Sequence, residues 1–176
     1  MFDGINLQSC SYFLIIFTSI FIIFSKSIFI IFIIIALITI FILNYNGKIF
    51  MGDSGVYLFS FILSFIIIKQ YNFNDAWTAD FIFILMMVPG IDMLRLFVLR
   101  IYNKKNPFRA DKKHIHHFLL DKFSYKKTIL ILNGFIILPI YLGSTFNYNI
   151  VIISLYILIQ FILFKYIFLT SDISKS

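Results

Sequence analysis

Long stretches without a single charge constrain this chain more than any other feature. FLIIFTSIFIIF (13–24) and IFIIFIIIALITIFIL (28–43) contain only apolar residues and a few hydroxyls. Runs of this kind read as lipid-facing helices, because a helix satisfies its own backbone hydrogen bonds where water is missing. Several such runs follow one another in only 176 residues, 61% of them hydrophobic and 13% charged. A water-soluble domain is nearer half apolar and a quarter charged, so a soluble protein with buried core helices is a poor fit. The expected fold is an all-α, polytopic transmembrane helical bundle forming a single membrane domain over 1–176.

The apolar pattern predicts six spans, at about 9–25, 27–44, 54–69, 78–98, 128–145 and 149–169. Several are shorter than the roughly 20 residues of a perpendicular crossing, and flanking Ser, Asn, Tyr and Lys would complete them. Of the 15 Lys and Arg residues, ten lie between Arg95 and Lys127. Positive charge collects on the cytoplasmic side, so the basic loop of about 99–127 is expected there. An even span count then places both termini in the cytoplasm. The start of the chain carries Asp3 and has no basic region before its first apolar run, unlike a cleavable signal peptide. A lone cysteine, Cys10, has no internal disulfide partner. A small transporter or channel would need polar residues near the midplane or two related halves, and neither is evident.

Three polar clusters fall on the cytoplasmic side of this arrangement. Polar groups at the edge of a membrane domain often mark a site. Asp3-Gly4-Ile5-Asn6 precedes the first span, and could equally be an Asx turn that caps a helix. Gly52-Asp53-Ser54-Gly55 opens the third span. There Asp53 could bind a hard cation such as Mg²⁺, or simply cap the helix. The third cluster starts at Pro89-Gly90-Ile91-Asp92, where a helix break is expected. Asp92 and Arg95 stand three apart, a spacing that permits an ion pair on a helix.

Basic residues then lead to His114-Ile115-His116-His117. Such histidines could hold a transition metal or could contact phosphates. Lys112 and Lys113 adjoin them directly, and that positive field favours a polyanion over a cation. Anionic lipid headgroups are a further partner for a basic loop. Nucleic acid is not expected, because the loop is short and tied to the membrane.

FMGDSG (50–55), PGIDMLRLFVLRIYNKKNPFRADKKHIHH (89–117) and FDGIN (2–6) together resemble the polyprenyl-phosphate N-acetylhexosamine-1-phosphate transferases. Within them it looks like the undecaprenyl-phosphate N-acetylglucosamine-1-phosphate branch, to which the phospho-muramoyl-pentapeptide branch is related. The chain looks like the C-terminal half of such an enzyme. The resemblance implies transfer of a sugar-1-phosphate from a UDP-sugar to undecaprenyl phosphate, with release of UMP. It implies a Mg²⁺ cofactor, for which Mn²⁺ could substitute, and a multi-pass enzyme of the bacterial inner membrane whose active face is cytoplasmic. It assigns catalytic roles to Asp3, Asp53 and His116, with Asp53 as the metal ligand. Arg109, His114, His116 and His117 would bind nucleotide and phosphate, while Asp92 and Arg95 would shape the loop.

The departures are specific. No Asp-Asp pair occurs in the chain, although an adjacent pair is a hallmark of the family. Members of the family also have more spans. The chain is therefore expected to be a truncated or split gene product that is inactive alone. It would be either a noncatalytic membrane remnant or one half of an enzyme whose N-terminal half a separate chain could carry.

Overall fold

The computed structural model describes residues 7–24, 26–73, 77–102, 104, 106–107, 114–146 and 149–173. Seven helices run through them: α1 Gln8–Ile23, α2 Ile28–Tyr45, α3 Gly52–Phe73, α4 Ala79–Tyr102, α5 Ile115–Lys122, α6 Tyr125–Thr145 and α7 Asn149–Ile173. Each expected span coincides with a helix, and the bundle is all-α.

Four helices, α2, α3, α4 and α6, are long and apolar enough to cross a membrane. At 1.5 Å per residue, the 18 residues of α2 cover about 27 Å, near the thickness of a hydrocarbon core. α1 and the apolar part of α7 (Asn149–Ile162) are shorter. Three ends differ appreciably from expectation. α3 continues past Lys69 to Phe73, α4 continues to Tyr102, and α7 continues to Ile173. Helix α5 falls within the expected loop of about 99–127, and its eight residues carry no apolar run that would mark it in the sequence.

The helices use their apolar surface in two ways. Much of α2 is exposed, with Ile28, Phe32 and Ile35 turned outward, as expected of a helix whose solvent is lipid. α1 is the reverse. Ile16, Phe17 and Ile20 are wholly buried, and so are Cys10, Tyr12 and Phe13. It packs against α2, α3 and α6 and serves as the central post of the bundle. Hydroxyls within the helices turn back onto their own backbone. Thr18 donates to Leu14 O at 2.7 Å, Ser64 to Ser60 O at 2.8 Å and Thr145 to Tyr141 O at 2.9 Å. Such bonds make a polar side chain tolerable in an apolar medium.

Pro89 lies inside α4. Its ring nitrogen has no hydrogen to give, so the carbonyl four residues earlier, that of Leu85, loses its helical partner. The hydroxyl of Tyr12 reaches across from α1 and donates to Leu85 O at 3.2 Å. Both residues are buried. The proline break is thus matched by a donor on the central helix.

At the opposite end of the bundle the helices close tightly. Phe24 packs tilted on Trp77 at 4.2 Å and meets Phe81 edge-on at 5.1 Å. Gly143 of α6 faces α4 so closely that a Cβ there would stand 2.8 Å from Ile84 Cδ1. Small residues at such contacts let membrane helices approach one another.

Replacing Tyr12 with Phe removes only the hydroxyl and strands the Leu85 carbonyl. Unfolding in mixed micelles should show a loss of about 1 kcal/mol. A Tyr12→Phe protein as stable as the wild type would show that the carbonyl is satisfied without it.

Candidate functional site

Asp92 lies one turn beyond the Pro89 break and is the hub of the polar cluster. Its Oδ1 accepts from Arg95 Nη2 at 2.6 Å and from Arg95 Nε at 3.2 Å. Its Oδ2 accepts from His114 Nδ1 at 2.8 Å, across 22 residues of chain. The Asp92–Arg95 pair is the one that the spacing suggested. The bond to His114 adds what the spacing could not show: the histidine segment is anchored directly to α4. A carboxylate only accepts, so Nδ1 of His114 carries the hydrogen and Nε2 is left to face other groups.

Arg100 provides a second anchor. It is buried, and its Nη1 donates to Pro107 O at 2.6 Å, tying the start of the loop to the end of α4. In the sequence this residue was one basic charge among several, and only the fold shows it turned inward.

The three imidazoles form one group. His114 stands at the N-cap of α5, with His116 and His117 in its first turn. The rings of His114 and His116 lie parallel at 5.4 Å, and those of His116 and His117 are 4.3 Å apart. His116 is only 4% exposed. Burial, with further contributions from the neighbouring His117 and His114, pushes its pKa down to about 4. At neutral pH it is therefore an uncharged imidazole.

A cavity of about 50 Å³ opens behind this group. Asp92, His114 and His116 line it together with Gln8 of α1 and Gln160 of α7. Pro89, Leu132 and Phe135 form its apolar wall. Pockets that take drug-sized ligands run from about 300 Å³ upward, so this space supports the histidines from behind and is too small for a sugar nucleotide. The sequence reading missed both glutamines. An isolated Gln in the apolar run of α7 was the available signal.

Asp53 is exposed in the first turn of α3. It does not line the cavity, and among the described residues it makes no hydrogen bond or ion pair. It does lie at the histidine end of the bundle. Phe59 of α3 meets Phe13 and Phe17 of α1 at 5.8 and 6.5 Å. Phe59 lies seven residues from the start of α3 and Phe13 five from the start of α1, so the two helices begin at the same end. Gln8, at the start of α1, shares the cavity with Asp92 and His116. Asp3 and Arg109 fall outside the described residues. Among the described residues, no group of three or more His, Cys, Asp or Glu side chains could hold a metal ion.

The fold and cluster define a multi-pass membrane protein with an aspartate–arginine–histidine site at one end. Its relatives are more specific. Over 90 residues the chain is 33% identical to an undecaprenyl-phosphate alpha-N-acetylglucosaminyl 1-phosphate transferase of Thermotoga maritima, a match covering 51% of this chain and 30% of that one. A protein of the same name from Pasteurella multocida is 32% identical over 99 residues, covering 50% and 27%. A decaprenyl-phosphate N-acetylglucosaminephosphotransferase of Mycobacterium leprae is 33% identical over 101 residues, covering 50% and 25%. The resemblance read from the motifs thus holds over half the chain, which spans less than a third of the length of these relatives. No family model matches the chain, and no solved structure does.

The depressed pKa of His116 fixes the sign of an acid effect. Between pH 6.5 and about 4 the unfolded chain binds a proton that folded His116 refuses. Its contribution is fully present above pH 6.5 and is lost as pH falls through that window, by up to about 3 kcal/mol. Denaturation midpoints measured across this range should fall with acid. A His116→Gln variant should show a flatter profile, and an equally steep one would place the effect elsewhere.

Proposed function

We propose that this chain carries the histidine-loop part of a glycosyl-1-phosphate transferase. The reaction moves N-acetylglucosamine-1-phosphate, or a related N-acetylhexosamine-1-phosphate, from a UDP-sugar to undecaprenyl phosphate and begins a lipid-linked cell-envelope glycan. An oxygen of the lipid phosphate attacks the sugar-proximal phosphorus, the bond to UMP breaks, and UMP leaves. The observation that supports this best is the joining of Asp92, Arg95 and His114. These residues come from the motif stretch that carries the resemblance, in a chain half of which is similar to enzymes named for this transfer.

Phosphoryl transfer asks the protein mainly for positioning and charge compensation. Asp92 orients His114, so that its Nε2 can meet a phosphate oxygen. His117, beside His116 in the first turn of α5, and Arg109 extend the phosphate-binding edge. His117 stands at the N-terminal end of α5, where the helix dipole also favours anions. Neutral His116 backs this edge as a rigid, buried ring.

The donor chemistry fits Mg²⁺, and Mn²⁺ by the same reasoning. Mg²⁺ needs only one or two carboxylates besides water and substrate phosphates, and Asp53 offers an exposed carboxylate at the histidine end. Asp53 would hold the ion, with Asp3 as a second carboxylate. Bound there, the cation would offset charge on the phosphate oxygens.

In this reading the protein lies in the bacterial inner membrane, with the histidine end and both termini cytoplasmic, where UDP-sugars and the basic loop meet. The comparisons give no support to a separate chain carrying the N-terminal half.

The test is equilibrium binding of UDP-N-acetylglucosamine to the 176-residue protein in nanodiscs containing undecaprenyl phosphate, with and without Mg²⁺. Binding should depend on Mg²⁺ and weaken about tenfold, the equivalent of 1.4 kcal/mol, in Asp53→Asn and in His114→Ala. No binding by the wild type, or binding that neither substitution weakens, rejects the proposal.

A further inference from the structure

Three buried polar atoms meet at the cavity without a hydrogen-bond partner among the described residues: Gln8 Oε1, His116 Nε2 and Gln160 Oε1. They come from α1, α5 and α7, so no single helix could satisfy them. An unmatched polar group in a protein interior is costly, and three on one small space point to a shared occupant. We propose that the cavity holds an ordered water, or a short water cluster, that ties His116 to Gln8 and Gln160 and makes both glutamines positioning residues for that imidazole.

The chemistry selects water over an ion. Two amide oxygens ask for donors, and neutral imidazole with Nε2–H asks for an acceptor. One water supplies two donors and accepts in return. A metal cation would need more oxygen ligands than these, and both oxygens of Asp92 are already engaged by Arg95 and His114. The Gln160 amide is itself held, with Nε2 donating to Tyr156 Oη at 2.7 Å, and water would satisfy the amide in either orientation. The space also suits water: one molecule needs about 10–15 Å³ of such a cavity, and buried waters make about three hydrogen bonds each.

The consequence concerns the first turn of α5. His114 is fixed by Asp92, but His116, stacked on His114 and tilted against His117, has no hydrogen bond to its Nε2 from the described residues. Water held by α1 and α7 would stop that ring from rotating and keep its hydrogen on Nε2. The inference stands whether or not the chain catalyses transfer.

Solid-state NMR of the histidine-labelled protein in lipid bilayers tests it through water-to-ring magnetisation transfer and the ring tautomer. The wild type should show a slowly exchanging water at His116 Nε2. In Gln160→Met that transfer should fall at least threefold with mixing of tautomers, while the His114–Asp92 signal is unchanged. Gln160→Glu retains an acceptor and should restore it, and Gln8→Met should reproduce the loss if Gln160→Met fails to fold. No bound water at His116 in the wild type overturns the proposal. So does transfer that both Met variants leave intact, or loss in Gln160→Glu as complete as in Gln160→Met.

Discussion

The hydrogen bond from Tyr12 to the Leu85 carbonyl governs the shape of the polar end. A proline in the middle of a membrane helix frees one carbonyl, and an apolar medium offers it nothing in return. Tyr12 supplies the donor from a helix that is itself enclosed, so the break in α4 is braced from the centre of the bundle. Asp92 follows the break by three residues. Its position relative to the loop therefore depends on how α4 is held in the bundle, against α6 and α7 and through Tyr12.

Asp92 in turn decides how the basic segment lies. One carboxylate receives a guanidinium on one oxygen and an imidazole on the other. Burying such a group is favourable only when its partners are well placed, and removing one would leave charge stranded. The arrangement therefore gives a single position for His114 and for the start of α5. Arg100 performs a similar service at Pro107. Arg95 and Arg100 are therefore turned to structural use, one held on Asp92 and the other holding Pro107 to the end of α4.

Much of this was legible from residue patterns. Apolar runs marked all four helices long enough to cross a membrane and the two shorter apolar ones, because lipid imposes the same demand on each. The i, i+3 spacing of Asp92 and Arg95 foretold their pairing, since a helix fixes that neighbourhood locally. Contacts between distant parts of the chain were not legible. Tyr12 and Leu85 are 73 residues apart, and Tyr12 reads as one more aromatic in an apolar run. Gln160 is a lone amide in an apolar run, and only the packing of α7 brings it to the cavity of His116. Helix α5 was overlooked because its stability comes from docking on α6, and eight residues are too few to announce a helix by periodicity.

The tight contact at Gly143 has a mechanical consequence. With Ile84 pressed against that glycine and Phe24, Trp77 and Phe81 interlocked nearby, α4 and α6 are clamped at one extremity. Relative tilting of the two rods would pivot at this clamp and be largest at the far extremity, where the imidazoles are. A bulky side chain in place of Gly143 would wedge the pivot apart, and the displacement would be felt most at the end of the lever.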